Sequence, residues 1–131
     1  MPRFDKKSEA FLKEVLFGKL ATLMRDGRPQ LTPVWYMYED GKVFVNTARG
    51  RVKYNNIKRD PRVSLLVDDG YRYLVIAGKA RVAGERDPLK DIETLAIRYR
   101  GEKGRKSART IYWKQERVTI EILPDRIIRD L

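Results

Sequence analysis

Three Asp-Gly pairs, at 26–27, 40–41 and 69–70, each stand between runs rich in apolar residues. A tight two-residue hairpin needs φ > 0 at its centre, and Asp-Gly supplies it cheaply. The chain is thereby committed to reversing direction at short intervals. Lys19 to Met24, Gln30 to Tyr38 and Val43 to Thr47 read as three strands joined by such turns, an antiparallel meander. Pro33 has no backbone donor, so it marks an edge, a bulge or an unpaired stretch. Beyond Asp60-Pro61, Arg62 to Asp68 and Tyr71 to Ala83 read as a further pair, with Gly78 as a bulge or bend. Arg117 to Leu123 alternates well, and Pro124-Asp125 is expected to turn it into a last strand, Arg126 to Asp130.

Helical patterns are short. Ser8 is placed as the cap of a helix to Leu16, with Gly18 ending it. Arg51 to Arg59 has helical character, and Asp87-Pro88 opens a helix to about Arg100, Pro being tolerated in the first turn. Gly101 to Lys106 reads as a basic loop, and Ser107 as the cap of a short turn to Trp113. Six or seven strands and three short helices predict one domain over residues 1–131. Its class is mainly β: a small antiparallel barrel with helices plugging its ends or gaps. A parallel α/β sheet is not expected, because most connections are too short for crossovers.

The chain contains no Cys and no His. Disulfides, iron–sulfur clusters, zinc sites and Ser-His-Asp or Cys-His machinery are therefore excluded, and no metal site is expected. Carboxylates, Lys, Tyr, Ser/Thr and a bound cofactor remain for chemistry. The net charge of +11 favours a polyanion as partner: nucleic acid, an anionic membrane or an anionic cofactor. No segment approaches the ~18 apolar residues of a membrane span. The N-terminal stretch lacks the apolar core of a secretion signal, so a cytoplasmic protein with no membrane partner is expected.

Charge concentrates between positions 49 and 62, where Arg49, Arg51, Lys53, Lys58, Arg59 and Arg62 meet one acid, Asp60. The first turn of a helix offers free N–H groups to an anion. Cations there oppose the helix dipole by a few tenths of a kcal/mol, and a bound phosphate would reverse that effect. Taken alone, this run fits either a phosphate cradle formed by the Ala48–Gly50 turn, Arg51 and Lys53, or a solvated basic helix face.

The order DGRPQLTPVW, a hairpin, then TARGRVKYNNIKRDPRVSL resembles the pyridoxamine 5′-phosphate oxidase-like split β-barrel proteins, most closely their deazaflavin (coenzyme F420)-dependent branch. The likeness is strong over residues 10 to 83 and weaker through the last strands. It implies a split, FMN-binding-protein-like barrel and a homodimer with cofactor sites in the clefts between subunits. By that resemblance Arg51 and Lys53 would hold phosphate. Asn46, Thr47 and Ala48 would line the ribityl chain and ring edge, and Thr32, Pro33 and Val34 would present strand backbone to the ring. Tyr71 and Tyr73 would approach the cofactor from the second subunit. The implied activity is an oxidoreductase passing hydride from coenzyme F420 to a small conjugated acceptor. No catalytic side chain is assigned; Tyr73, Tyr36 or water would supply the product's proton. The family's vitamin-forming oxidases use additional C-terminal residues, including His; this chain has no His, and that activity is not expected.

Two other functions compete. The first is an FMN-binding oxidase or electron-transfer flavoprotein of the same fold. A basic nucleic-acid-binding barrel would stack bases on aromatics along a cationic groove, but here the basic residues cluster beside turns and helices. Trp35 and Tyr36 are neighbours in a strand, so alternation sends them to opposite faces and one ligand cannot meet both. The basic residues Arg98, Arg100, Lys103, Arg105, Lys106 and Arg109 fit either extra grip on an oligoglutamate tail or a solvated loop.

Overall fold

The computed structural model describes residues 2–131. Four helices, α1 (Lys6–Leu12), α2 (Val52–Arg59), α3 (Pro88–Arg100) and α4 (Glu102–Thr110), accompany seven strands. The strands are β1 (Gly18–Leu23), β2 (Pro29–Val34), β3 (Tyr36–Glu39), β4 (Lys42–Ala48), β5 (Arg62–Asp68), β6 (Tyr73–Val82) and β7 (Arg117–Asp130). They form one antiparallel sheet in the order β2-β1-β5-β6-β7-β4-β3.

That order explains the curvature. β2 and β3 lie at opposite ends of it, yet Trp35 alone separates them in the chain. Two residue steps span only about 7 Å. The two sheet edges therefore meet at Trp35, and a sheet whose edges meet is curled into a barrel. The architecture is the expected mainly β split barrel, but the expected meander is not formed. Gln30 to Tyr38 is two strands, and β2 pairs with β1 while β3 pairs with β4. Pro33 stands in the edge strand β2, where a missing donor costs least.

The core fills the barrel: Leu20, Tyr36, Leu65, Leu74, Ile76 and Ile120 are fully buried, and they alternate with exposed or half-exposed neighbours along β1, β5 and β6. Burying each such aliphatic side chain stabilises the fold by roughly 1.5–3 kcal/mol.

β7 corrects a second expectation. Pro124-Asp125 does not reverse the chain; it forms a bulge within one continuous strand. Ala77 pairs with Arg126 and Gly78 with Pro124, so β7 carries one extra residue opposite β6. Gly78 is the bend anticipated there. A Cβ on it would sit 1.9 Å from the Leu123 carbonyl oxygen, so only glycine lets the strands approach this closely.

The helices differ at their ends. α1 starts three residues early, because the Asp5 carboxylate takes the Ser8 N–H at 2.8 Å and is the cap in place of Ser8. It stops at Leu12, and the following carbonyls of Leu12 and Glu14 accept from Arg98 of α3 at 3.3 and 2.8 Å. α3 has the expected bounds, with Asp87 as its cap. The loop expected at Gly101 to Lys106 is instead the start of α4, and Ser107 lies inside that helix. Two glycines lower the helical propensity of this segment. Its packing overrides that, since Gly104 abuts α3 where a Cβ would meet the Ala96 carbonyl oxygen at 2.0 Å. Glu93 of α3 accepts from Arg109 at 2.7 Å and tightens the pair. Among the described residues, no helix is long and apolar enough to cross a membrane.

Candidate functional site

Where the curled edges meet, the end of β2, the end of β4, the start of α2 and the start of β7 border a cleft of about 300 Å³. This is the low end of ligand-pocket volumes. Its two walls are chemically opposite.

One wall is cationic. Gly50 takes φ 86° and turns the chain after β4, with the Arg51 N–H donating to the Ala48 carbonyl at 3.2 Å. Arg51 then stands at the cap position of α2 without making a side-chain cap bond, and Lys53 follows in the first turn. Buried Asn56 fixes the helix to the barrel by donating to the Thr22 hydroxyl at 3.0 Å. The third cation is Arg117, brought in because β7 pairs with β4 and sets Arg117 opposite Ala48. Among the described residues, Arg51, Lys53 and Arg117 make no ion pair, although fourteen ion pairs join other residues. Burial, together with Arg51 and Arg117, pulls the Lys53 ammonium below its ordinary value. Burial and Arg51 bring Arg117 down to about 10. Lys53 and Arg117, both partly desolvated, and exposed Arg51 beside them repel one another with no carboxylate between, and a bound anion removes that repulsion. Anion affinity should fall at alkaline pH, as Lys53, held below its ordinary value, and Arg117, brought to about 10, lose their protons. A phosphate titration at several pH values measures this.

The other wall is apolar and aromatic. Trp35 stacks on Tyr99 with 5.4 Å between ring centroids, and Phe17 leans on the same ring at 5.3 Å. Tyr112 meets Trp35 edge-on and lies beneath the Arg117 guanidinium. Ile92 and Leu95 of α3 complete the surface. The Tyr99 hydroxyl donates to the Leu16 carbonyl at 2.7 Å and accepts the Tyr36 N–H, which locks the stack.

Of the residues singled out in the sequence, Pro33, Val34, Asn46, Thr47, Arg51 and Lys53 all line this cleft. Ala48 is buried and acts through its carbonyl in the turn. Thr32 lies outside the lining, with its hydroxyl oxygen buried and unpartnered. Tyr71 and Tyr73 belong to the β5–β6 connection and the start of β6, and neither lines the cleft; Tyr71 is 93 % exposed. Tyr36 is a core residue. It is fully buried, its hydroxyl faces the Leu12 and Glu14 carbonyls, and burial raises its pKa well above the usual phenol value. It therefore does not serve as a proton donor in the cleft. Alternation separates the two neighbours as expected: Trp35 faces the cleft and Tyr36 the core. Sequence reasoning misses Arg117 and Phe17. Arg117 opens an alternating strand, and only the β4–β7 pairing across some seventy residues reveals where it points.

A curled split barrel with a cationic turn facing an aromatic wall defines the architecture of this site. Residues 4–129 match the family model described as pyridoxamine 5′-phosphate oxidase, and the chain belongs to that family. The match extends the likeness read from residues 10 to 83 across the last strands. Among solved structures, a conserved hypothetical protein of Mycobacterium tuberculosis is 27 % identical, with a TM-score of 0.75 over 97 % of this chain and 85 % of the other. An F420 reductase is 28 % identical, with a TM-score of 0.74 over 95 % of this chain and 98 % of the other. A heme storage protein of Vibrio cholerae shares the fold at 17 % identity, with a TM-score of 0.69 over 97 % of this chain and 94 % of the other.

Proposed function

We propose that this chain is an oxidoreductase that binds coenzyme F420 in the cleft and serves a small conjugated acceptor, working as a homodimer. The observation carrying this reading is the set of three unpaired cations, Arg51, Lys53 and Arg117, facing the Trp35–Phe17 wall. The arrangement suits a molecule with a flat ring at one end and a phosphate at the other. The similarity to an F420 reductase favours the deazaflavin ring.

Each residue has a task. The Arg51 guanidinium presents a fork matched to phosphate oxygens, and Lys53 adds a point charge beside it. The free N–H groups of the α2 first turn face the same anion. Trp35, Phe17 and Ile92 exclude water from one side of the ring. When bound, the cofactor supplies the hydride. Solvent water is the proton source favoured for the product, since Tyr36 is sealed in the core and Tyr73 would have to come from a second protomer.

FMN is the second reading, since the same cations would hold its phosphate equally well. Parallel titrations with F420 and FMN separate the two; tight FMN binding without F420 binding reverses the order. Arg51→Ala should weaken the preferred cofactor by roughly 1–3 kcal/mol, the cost of losing a charged hydrogen bond, with unfolding of the free protein nearly unchanged. Unaltered cofactor affinity would remove Arg51 from the site.

A further inference from the structure

A line of hydrogen bonds runs from the cleft into the protein interior, and every bond in it points the same way. Arg117 Nε donates to Asn46 Oδ1 at 2.9 Å. Asn46 Nδ2 donates to the Thr119 hydroxyl at 3.3 Å and to the Pro88 carbonyl at 3.0 Å. The Thr119 hydroxyl donates to Asp91 Oδ2 at 2.7 Å. Asp91 is held from its far side by Arg86, whose Nε and a terminal nitrogen each reach it at 2.9 Å. Asp91 and Thr119 are buried.

The chemistry of the end groups fixes the direction. A guanidinium only donates, and a carboxylate and a carbonyl only accept. Thr119 must therefore spend its proton on Asp91 and turn a lone pair to Asn46. Asn46 must turn its amide nitrogen to Thr119 and Pro88, which leaves its oxygen for Arg117. Flipping the Asn46 amide would set nitrogen against guanidinium and oxygen against carbonyl, losing bonds at both ends.

We infer that Thr119 and Asn46 are positioning residues that aim Arg117 as the third cation of a phosphate site, with buried Asp91 as the anchor. The inference rests on reading the cleft as a phosphate site, and not on which ring the phosphate carries. With Nε held by Asn46 and a terminal nitrogen held by Gln115, the Arg117 guanidinium is restrained from swinging to solvent, although Arg51 and Lys53 repel it. Its placement is set before any ligand arrives, so less ordering accompanies binding. Asn46, expected from the resemblance to touch the cofactor, has its amide committed to protein partners and acts through Arg117.

The test uses the full-length chain labelled with ¹⁵N, with the Arg117 Nε–H resonance assigned by its loss in Arg117→Lys. Thr119→Val keeps the shape of the side chain and removes the hydroxyl. Nε–H exchange with water should quicken and affinity for inorganic phosphate should fall, each by about fivefold, the scale of one hydrogen bond. Thr119→Ser should restore both. FMN should be weakened in the same proportion, and riboflavin, which lacks the phosphate, should not. Unchanged exchange and phosphate affinity in Thr119→Val, or equal losses for FMN and riboflavin, would overturn the inference, the second because it reports a loosened pocket. Should Thr119→Val fail to fold, Asn46→Ala, at a half-buried position, is read the same way. A wild-type protein that binds neither F420 nor FMN, yet shows the phosphate effects, defeats the cofactor reading and leaves the relay standing.

Discussion

Lys53→Glu should abolish binding of a phosphate-bearing cofactor and at the same time make the free protein harder to unfold. The wild-type cleft gathers Arg51, Lys53 and Arg117 with no acid among them. Each cation disfavours the others, and burial adds to the cost of charging Lys53. A carboxylate at position 53 would occupy the place of the missing anion and pair with both arginines. The charge change repels phosphate and removes a donor, so affinity should fall more than about 100-fold, as when one partner of a desolvated charge pair is lost. The free protein should gain about 1 kcal/mol, a modest figure because the site is partly open to solvent. Calorimetry of the apo protein and a cofactor titration give the two numbers. Retained affinity would remove Lys53 from the site, and a large fall in melting temperature would make it a structural residue.

Gly78→Ala should cost about 3 kcal/mol of stability or more, at the upper end of overpacking effects. The added methyl carbon would overlap the Leu123 carbonyl oxygen and crowd the Asp125 amide, and both are backbone atoms that cannot rotate aside. The bulge at Asp125 would have to open, and β6–β7 is the longest pairing in the sheet, ten residue pairs. Urea unfolding measures the loss. A midpoint equal to wild type would show that the strands are not so closely apposed.

The turns explain why much of the fold was legible. Asp26-Gly27 and Asp40-Gly41 produced the β1–β2 and β3–β4 hairpins, and Asp87-Pro88 with Gly101 bounded α3. These are local signals, decided by φ at one or two residues. The readings that failed are those that distant contacts decide. Nothing local separates the residues before Trp35 from those after it, so the split of β2 from β3 follows only from barrel closure. α4 is helical because Gly104 fits α3, although its own propensity is poor. In the site, Arg51 and Lys53 were visible as a run beside a turn, whereas Arg117 arrives by pairing between β4 and β7.

Trp35 has a consequence for how the molecule assembles. As the sole link between the two ends of the strand order, it sits on the seam where the sheet edges meet, and it is also part of the aromatic wall of the cleft. The aromatic wall it forms is therefore complete only when the β1–β2 and β3–β4 hairpins are both joined through β5, β6 and β7 into one sheet. A ligand that needs this surface acts as a clasp, selecting the sealed form and suppressing its breathing in proportion to how far ligand concentration exceeds the dissociation constant.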